Sequence, residues 1–302
     1  MRSDQVLCLN SKGFHRMHYV EWGDPAAERV VICAHGLSRN GRDFDTLARA
    51  LAADFRVVCP DVAGRGKSDW LPAKEDYSYP QYCADMMNLV ARVTAAPPSG
   101  GILGRLAGAL AGSGRPKHLY WVGTSMGGII GMLLAARPNS PIEKLVVNDV
   151  GALIPRPALE RIGQYVGKDP RFKTLEELET LVRMVLAPFG RLTDAQWRHL
   201  TETSAKRHED GSWGYSYDPG IGIPFQKWPL VDVDLWQYWD AITCPTLLLR
   251  GAQSDLLLKE TAEAMTRRGP KPRLVEFDGV GHAPPLMADD QVGAVRDFLM
   301  TG

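Results

Sequence analysis

The feature that most restricts how this chain can fold is the rhythm of its apolar segments. Short apolar runs at 29–34, 55–59, 118–122, 144–148, 246–249 and 274–277 are separated, in several places, by patterns of helical length such as 43–53, 81–93 and 126–136. A run of five or six apolar residues offers water no polar face, so it suits a strand covered on both sides. Such strands alternating with helices predict a largely parallel sheet with helices packed on both faces. Ahead of them, residues 6–9 and 17–22 flank the turn formers Asn10-Ser11-Lys12-Gly13 and predict a hairpin.

Two segments interrupt the rhythm. Residues 96–117 are rich in Gly, Pro, Ser and Ala, with a short helical pattern at 102–110, and are expected to form a surface insertion. The longer break, 152–235, carries helical patterns at 158–166, 175–186 and 194–206, then an aromatic, Gly- and Pro-rich run at 213–228, with no core strand. It predicts a helical cap at 152–235 inserted into a core made of 1–151 and 236–302. At 302 residues the chain has room for one large domain with such an insertion. There are no internal repeats and no coiled-coil heptads.

One motif lies where this architecture can use it. The run His118-Leu119-Tyr120-Trp121-Val122 leads into Gly123-Thr124-Ser125-Met126-Gly127-Gly128, and an apolar helical pattern follows. In strand–G-x-S-x-G–helix, the serine sits on a sharp turn whose flanking positions leave no room for side chains. The turn exposes the hydroxyl at a helix N-terminus, where backbone N–H groups favour developing negative charge. A chance Gly-Ser-Gly turn is the bland alternative. Against it, the match occurs once, and between a strand pattern and a helix pattern.

A serine hydroxyl needs a base. His282 follows the apolar run 274–277 through Asp278-Gly279-Val280-Gly281, just past a strand end, on the sheet edge expected to carry Ser125. The pKa of about 6.5 of an unperturbed histidine suits general-base work at neutral pH. The other histidines fit less well. His15 and His18, an odd number of positions apart in a strand pattern, face opposite sides and cannot share a metal. His118, His199 and His208 fall at a strand start, on a cap helix and in a polar loop. For the carboxylate that orients the histidine, Asp255 closes a post-strand segment, and Asp149 closes another. Asp255 is favoured on the chain order serine, acid, histidine with the acid near the last strands, and Asp149 stays open as the alternative acid. Asp278, four residues from His282, reads as a turn cap.

The strand at 29–34 ends in His35-Gly36-Leu37-Ser38. Attack on a carbonyl builds an oxyanion that needs two preorganised donors, and the backbone N–H groups of Leu37 and Met126 are the candidates. His35 then reads as a buried organiser of its loop. The segment from Asp61 to Ser68 ends in Gly66-Lys67-Ser68, like a phosphate-binding loop, but the first glycine of that motif would fall at Asp61. The phosphate cradle is incomplete, and the segment reads as a Gly-rich turn bordering the site.

Taken together, His35-Gly36-Leu37, Asp61 to Ser68, Gly123 to Gly128, Asp255 in its loop and Gly281-His282-Ala283-Pro284 resemble the α/β-hydrolase superfamily across the whole core. The resemblance implies an α/β fold with a mostly parallel eight-stranded sheet, flanking helices and an inserted cap that selects substrates. It also implies a Ser-His-Asp triad, no cofactor and no metal. Serine at the turn points away from the branches that place aspartate there. The expected reaction is cleavage of a carboxylic ester, lactone or short hydroxyalkanoate ester through an acyl-enzyme on Ser125. Carbon–carbon bond hydrolysis or perhydrolysis on the same triad is an alternative, and a non-catalytic small-molecule receptor is an alternative of another class.

Aromatic residues of the cap, Phe172, Phe189, Trp197, Trp213, Tyr215, Phe225 and Trp228, are candidates for the substrate pocket or for the cap's own core. From 156 to 207 ten Lys or Arg stand against seven Asp or Glu, which suits an anionic substrate and equally a solvated helix face. Overall, 35 basic residues balance 35 acidic ones, so the basic excess of a nucleic-acid or membrane-surface binder is missing. The first residues lack the apolar core of a signal peptide, and no stretch approaches the ~18 apolar residues of a membrane span. Five scattered cysteines in an odd number argue against a disulfide framework or a zinc site. The expectation is a cytoplasmic protein with a small-molecule substrate, of open oligomeric state.

Overall fold

The computed structural model describes residues 1–95 and 118–301. The expected insertion at 96–117, with its helical pattern at 102–110, lies outside the described residues. Strands β1 (Arg2–Asn10) and β2 (Gly13–Trp22) form the hairpin, and β3 (Arg29–Ala34), β4 (Arg56–Pro60), β5 (His118–Thr124) and β6 (Ile142–Asn148) follow. Two short strands, β7 (Leu153–Ile154) and β10 (Val233–Asp234), pair with each other, as do β8 (Ala205–Arg207) and β9 (Trp213–Tyr215). The core closes with β11 (Thr246–Gly251) and β12 (Arg273–Phe277). The main sheet has eight strands in the order β1-β2-β4-β3-β5-β6-β11-β12, antiparallel at the β1-β2-β4 end and parallel across the rest.

The central strands are apolar throughout because the sheet is buried on both faces. Along β3, Val30, Ile32 and Ala34 enter one core, and Val31 and Cys33 enter the other. The alternation repeats in β5, with Leu119 and Trp121 opposite to Tyr120 and Val122. Helices α2 (Tyr79–Thr94) and α3 (Met126–Ala135) cover the first face with Met86, Leu89, Ile129 and Ile130. Helix α1 (Asp45–Leu51) covers the second with Leu47, Ala48 and Leu51. Burying a full leucine or isoleucine side chain is worth about 2 kcal/mol, so these contacts dominate the stability of the layers.

Between β6 and β11 run α4 (Arg156–Gly163), α5 (Leu175–Val185), α6 (Asp194–Ser204), α7 (Ile223–Lys227) and α8 (Trp236–Ala241). Two of them start at capping boxes: Thr174 and Glu177 cap α5 reciprocally, and Thr193 and Gln196 cap α6. Leu178, Val182, Trp197 and Leu200 form a separate small core here, joined by Met287 from the far end of the chain. The two short β-pairs were not expected in this region; strands of two or three residues carry too few side chains to show a period. After β11 come α9 (Lys259–Met265), β12 and α10 (Asp289–Met300), with Val295 and Leu299 of α10 completing the second face. Among the described residues, no helix is long and apolar enough to cross a membrane.

At the hairpin edge His15 and His18 face opposite ways. His15 Nε2 meets Asp85 Oδ2 of α2 at 3.0 Å in a buried contact, whereas His18 Nδ1 meets Asp61 Oδ2 at 2.8 Å. Cys8, His15 and Asp85 place one potential ligand atom each within 4.8 Å of one another. Burial, and then the nearby Asp85 carboxylate, push the Cys8 thiol up to about 12, so it stays protonated at neutral pH and fills space.

Candidate active site

Ser125 joins β5 to α3 with φ 52° and ψ −115°, a conformation that side chains rarely adopt. Its neighbours must be glycine because two elements cross there. A Cβ at Gly123 would fall 2.2 Å from the Gly127 carbonyl oxygen, and one at Gly127 would fall 2.0 Å from that of Ala34. The turn is braced from both sides: Ser125 N–H donates to the Asn148 carbonyl at 2.9 Å, and Gly127 N–H to the His35 carbonyl at 3.1 Å.

The side chains meet on this rim. Ser125 Oγ lies 3.0 Å from His282 Nε2, and His282 Nδ1 lies 2.7 Å from Asp149 Oδ2. A carboxylate only accepts, so Nδ1 carries the hydrogen and Nε2 is left to accept the serine hydroxyl. Asp149 is fully buried at φ 57°, which turns its side chain inward. The Gly251 N–H donates to its Oδ1 at 2.8 Å and the Ser254 hydroxyl to its Oδ2 at 2.7 Å. Asn148, one residue earlier, donates through Nδ2 to Thr124 Oγ1 at 2.9 Å and to the Pro284 carbonyl at 2.8 Å, tying the serine strand to the histidine loop.

The favoured acid of the sequence reading is therefore corrected. Asp255 points away from His282, with its side chain half exposed, and pairs with Arg161 on α4 at 2.5 and 2.9 Å. The loop after β11 still serves the histidine, but through Ser254 and the Gly251 N–H, which hold the carboxylate of the neighbouring strand end. Asp149 takes the position against the imidazole.

The two candidate oxyanion donors belong to segments next to Ser125. Leu37 lines the cavity above Ser125. Met126 opens α3, where first-turn N–H groups lack intrahelical partners. Behind them stands Arg65, fully buried, which sequence reasoning treated only as part of a turn. Its Nε donates to the Leu37 carbonyl at 2.8 Å, Nη1 to the Ala63 carbonyl at 2.7 Å and the Tyr82 hydroxyl at 2.9 Å, and Nη2 approaches Met126 Sδ at 3.6 Å. The faces of Tyr77 and Tyr82 pack against the cation. One guanidinium thus braces both loops that carry the donors.

His35 bridges the same loops. Nδ1 donates to the Gly36 carbonyl at 2.7 Å, and Nε2 accepts the Val62 N–H at 2.9 Å. Full burial pulls its pKa down to about 4, so the ring is neutral at pH 7 and acts as a spacer. Asp61 accepts from the Gly41 and Lys67 N–H groups and from His18. Burial alone would raise its carboxyl, but these bonds hold it below the usual range. A Cβ at Gly66 would collide with that carboxylate at 2.4 Å, so the segment from Asp61 to Ser68 wraps its own aspartate, which fills the concavity a phosphate loop would leave open.

A cavity of about 860 Å³, part of it open to solvent, lies over Ser125 and His282. Of the seven cap aromatics proposed for it, only Phe189 lines it, beside Ile162, Tyr165, Val185, Leu186, Leu200 and Met287. The other six are corrected. Trp197, Phe172, Trp213 and Tyr215 belong to the core between α5, α6 and β9, because a small cap needs its largest side chains for its own interior. Phe225 packs beside Gly163 of α4, and Trp228 is half exposed beside Lys227. The sequence reading also passed over Arg39, Asp43 and Arg161, the charged members of the cavity wall.

Residues 31–295 match the model of a family described as the alpha/beta hydrolase family. The chain is an α/β hydrolase. A 3-hydroxybutyrate-oligomer hydrolase from Cupriavidus necator is 46% identical over 302 aligned residues, covering 97% of this chain and 96% of its own length. Among solved structures, a putative hydrolase from Rickettsia typhi aligns with TM-score 0.86 at 30% identity, covering 99% of both chains. An α/β hydrolase from Novosphingobium aromaticivorans aligns with TM-score 0.79 at 32% identity over 98% of each. Both likenesses span the region between β6 and β11 as well as the sheet, so the inserted helices of this hydrolase are part of the shared fold.

Proposed function

We propose that this hydrolase cleaves the ester bonds of short 3-hydroxyalkanoate chains, such as 3-hydroxybutyrate dimers and trimers, with Ser125 as nucleophile, His282 as general base and acid, and Asp149 as its orienting carboxylate. One observation carries the chemistry: the unbroken hydrogen-bonded path from Ser125 Oγ through His282 to Asp149, at 3.0 and 2.7 Å. The substrate class is supported by likeness to the Cupriavidus necator hydrolase along nearly the whole of both chains.

Ser125 Oγ attacks the ester carbonyl as its proton passes to His282 Nε2. The carbonyl oxygen becomes an oxyanion held by the N–H groups of Leu37 and Met126, a contact worth about 3 kcal/mol per donor in enzymes of this type. The bond to the alcohol oxygen then breaks, and the imidazolium gives that oxygen its proton. Water, deprotonated by the same ring, attacks the acyl-enzyme and releases the acid and the free serine. Asp149 stabilises the imidazolium in both halves and keeps its own charge.

The test is hydrolysis of 3-hydroxybutyrate dimer and trimer beside p-nitrophenyl butyrate, with fluorophosphonate labelling of the protein. Wild type is expected to cleave all three and to be labelled at Ser125, while Ser125→Ala loses labelling and at least about 10⁴-fold in kcat. Turnover that survives this substitution would remove Ser125 from the mechanism. Cleavage of the nitrophenyl ester with no activity on either oligomer would remove the substrate assignment and leave the triad.

A further inference from the structure

The cavity over Ser125 carries a charge that its own wall does not neutralise. Of its charged lining residues, Arg39 and Asp43 satisfy each other, Nε to Oδ2 at 2.8 Å and Nη2 to Oδ1 at 2.6 Å. Arg161 also lines the cavity, but its partner Asp255 does not. Asp255 lies behind the arginine with its side chain half in solvent, where water screens its charge. Among the described residues, the wall facing the serine therefore carries the net field of one guanidinium.

The geometry of that pair leaves donors free. Asp255 takes Nε and one edge of Nη2. The Tyr165 hydroxyl is a further partner of the guanidinium. A guanidinium has five N–H donors in a planar fork, so donors beyond these contacts are left for a second carboxylate. The wall also carries apolar side chains, Ile162, Leu186, Phe189, Leu200 and Met287, beside Tyr165, and they strengthen any charge–charge contact made there. The cap's small basic excess thus has a particular member turned toward substrate. Other cap arginines are engaged elsewhere, Arg183 by Glu179 and Asp194 and Arg198 by Glu176 and Glu202, and they do not line the cavity.

We infer that Arg161 forms an anion subsite for a free carboxylate on the alcohol side of the scissile ester, with Asp255 positioning the guanidinium. The inference rests on the ester-hydrolase reading and deepens it by naming the end of the substrate that is held. In an ester of two hydroxy acids the carboxyl on the acyl side is consumed in the bond being cut. A free carboxylate can then belong only to the alcohol fragment, separated from the scissile oxygen by two carbons in a 3-hydroxy acid. The cation on the cap meets this fragment while Ser125 takes the acyl carbon, and the carboxylate leaves with the alcohol unchanged. Asp255 is a positioning residue, since it touches Arg161 and does not line the cavity.

The experiment compares kcat/KM for the 3-hydroxybutyrate dimer with that for the same dimer carrying a primary amide at its free end, in wild type, Arg161→Gln and Asp255→Asn. A second pair, 3-acetoxybutyrate and 3-acetoxybutyramide, keeps the alcohol-side carboxylate but is not an oligomer. Wild type is expected to prefer each acid over its amide by about ten- to a hundredfold, the scale of a charged hydrogen bond in a partly dry site. Arg161→Gln should bring both ratios near one, chiefly through KM, while Asp255→Asn should lower both preferences without abolishing them, because the cation remains but loses the carboxylate that positions it. A half-exposed ion pair contributes little to folding, and thermal unfolding of Arg161→Gln checks that the variant is native. A preference unchanged in Arg161→Gln, or none in wild type, overturns the subsite even if the dimer is cleaved. An Arg161-dependent preference within the acetoxy pair, with the dimer untouched, supports the subsite and sinks only the oligomer assignment.

Discussion

At the scale of single residues, the acid shows what a sequence can and cannot disclose. Ser125 and His282 each sit in a short local pattern, a glycine-flanked turn and a post-strand loop, and the structure brings them within 3.0 Å of each other. Asp149 and Asp255 have the same local signature, a carboxylate just past a parallel strand, and both lie between the serine and the histidine in the chain. What separates them is direction. The left-handed backbone of Asp149 turns its carboxylate inward toward His282, Gly251 and Ser254, whereas Asp255 faces Arg161 and solvent. Backbone direction at one residue is set by the packing of two neighbouring strands, so it leaves no pattern in the sequence. Asp149→Asn should lower kcat by about 10⁴-fold, because the amide can no longer hold the histidine in the correct tautomer. Steady-state rates on p-nitrophenyl butyrate are expected to place Asp255→Asn within about tenfold of wild type. Equal losses in the two variants would put the acid back in doubt.

At the scale of elements, the strands of the sheet were legible because burial on both faces writes itself as unbroken apolar runs, and β3 begins and ends where the run does. The cap helices were legible through their period. The cap's aromatic residues were not assignable, since a side chain facing a pocket and one facing a small interior have the same composition. The junction of β5 and α3 depends on absent side chains. Gly127→Ala would drive a methyl group to 2.0 Å from the Ala34 carbonyl, forcing α3 off β3. Overpacking of this kind costs about 1–3 kcal/mol or more, and here it also displaces the serine. A lower unfolding midpoint together with a loss of kcat is expected, and an active Gly127→Ala with wild-type stability would contradict the contact. Arg65 links three other elements, the loops after β3 and β4 and helix α2. Arg65→Met leaves the buried Leu37 and Ala63 carbonyls and the Tyr82 hydroxyl without their partner, at a cost of about 1–3 kcal/mol in stability for each group left unpaired. Because the Leu37 N–H loses its brace, kcat should fall more than KM rises on the same ester, a split that general loosening of the fold would not produce.

At the scale of the whole molecule, the active rim is held by polar groups folded into its interior, and this ties the stability of the chain to pH. His35 is wholly buried between the β3 and β4 loops, neutral, with its pKa brought from 6.5 down to about 4 by loss of water. The unfolded chain therefore takes up a proton that the folded chain refuses whenever the pH lies between those values. Folding stability is complete above pH 6.5 as far as this group is concerned, and it falls as the pH drops through the window toward 4. The loss between pH 7 and pH 5 comes to about 2 kcal/mol. Asp61, held below the ordinary carboxyl value of 3.8, acts in the same direction but in a different window: its contribution is present above 3.8 and is lost only below it. The His35 window therefore lies above the Asp61 window, and its effect comes first as the pH falls. Urea unfolding of wild type at pH 7 and pH 5 should show this drop, and His35→Gln, which has nothing to titrate there, should show a clearly smaller one from whatever starting stability it has. If the glutamine variant does not fold, imidazole resonances of the wild type supply the same answer, since His35 should remain neutral at pH 5 in the native protein. A protonated His35 at that pH, or an undiminished slope in the variant, would move the origin of the acid sensitivity to another group.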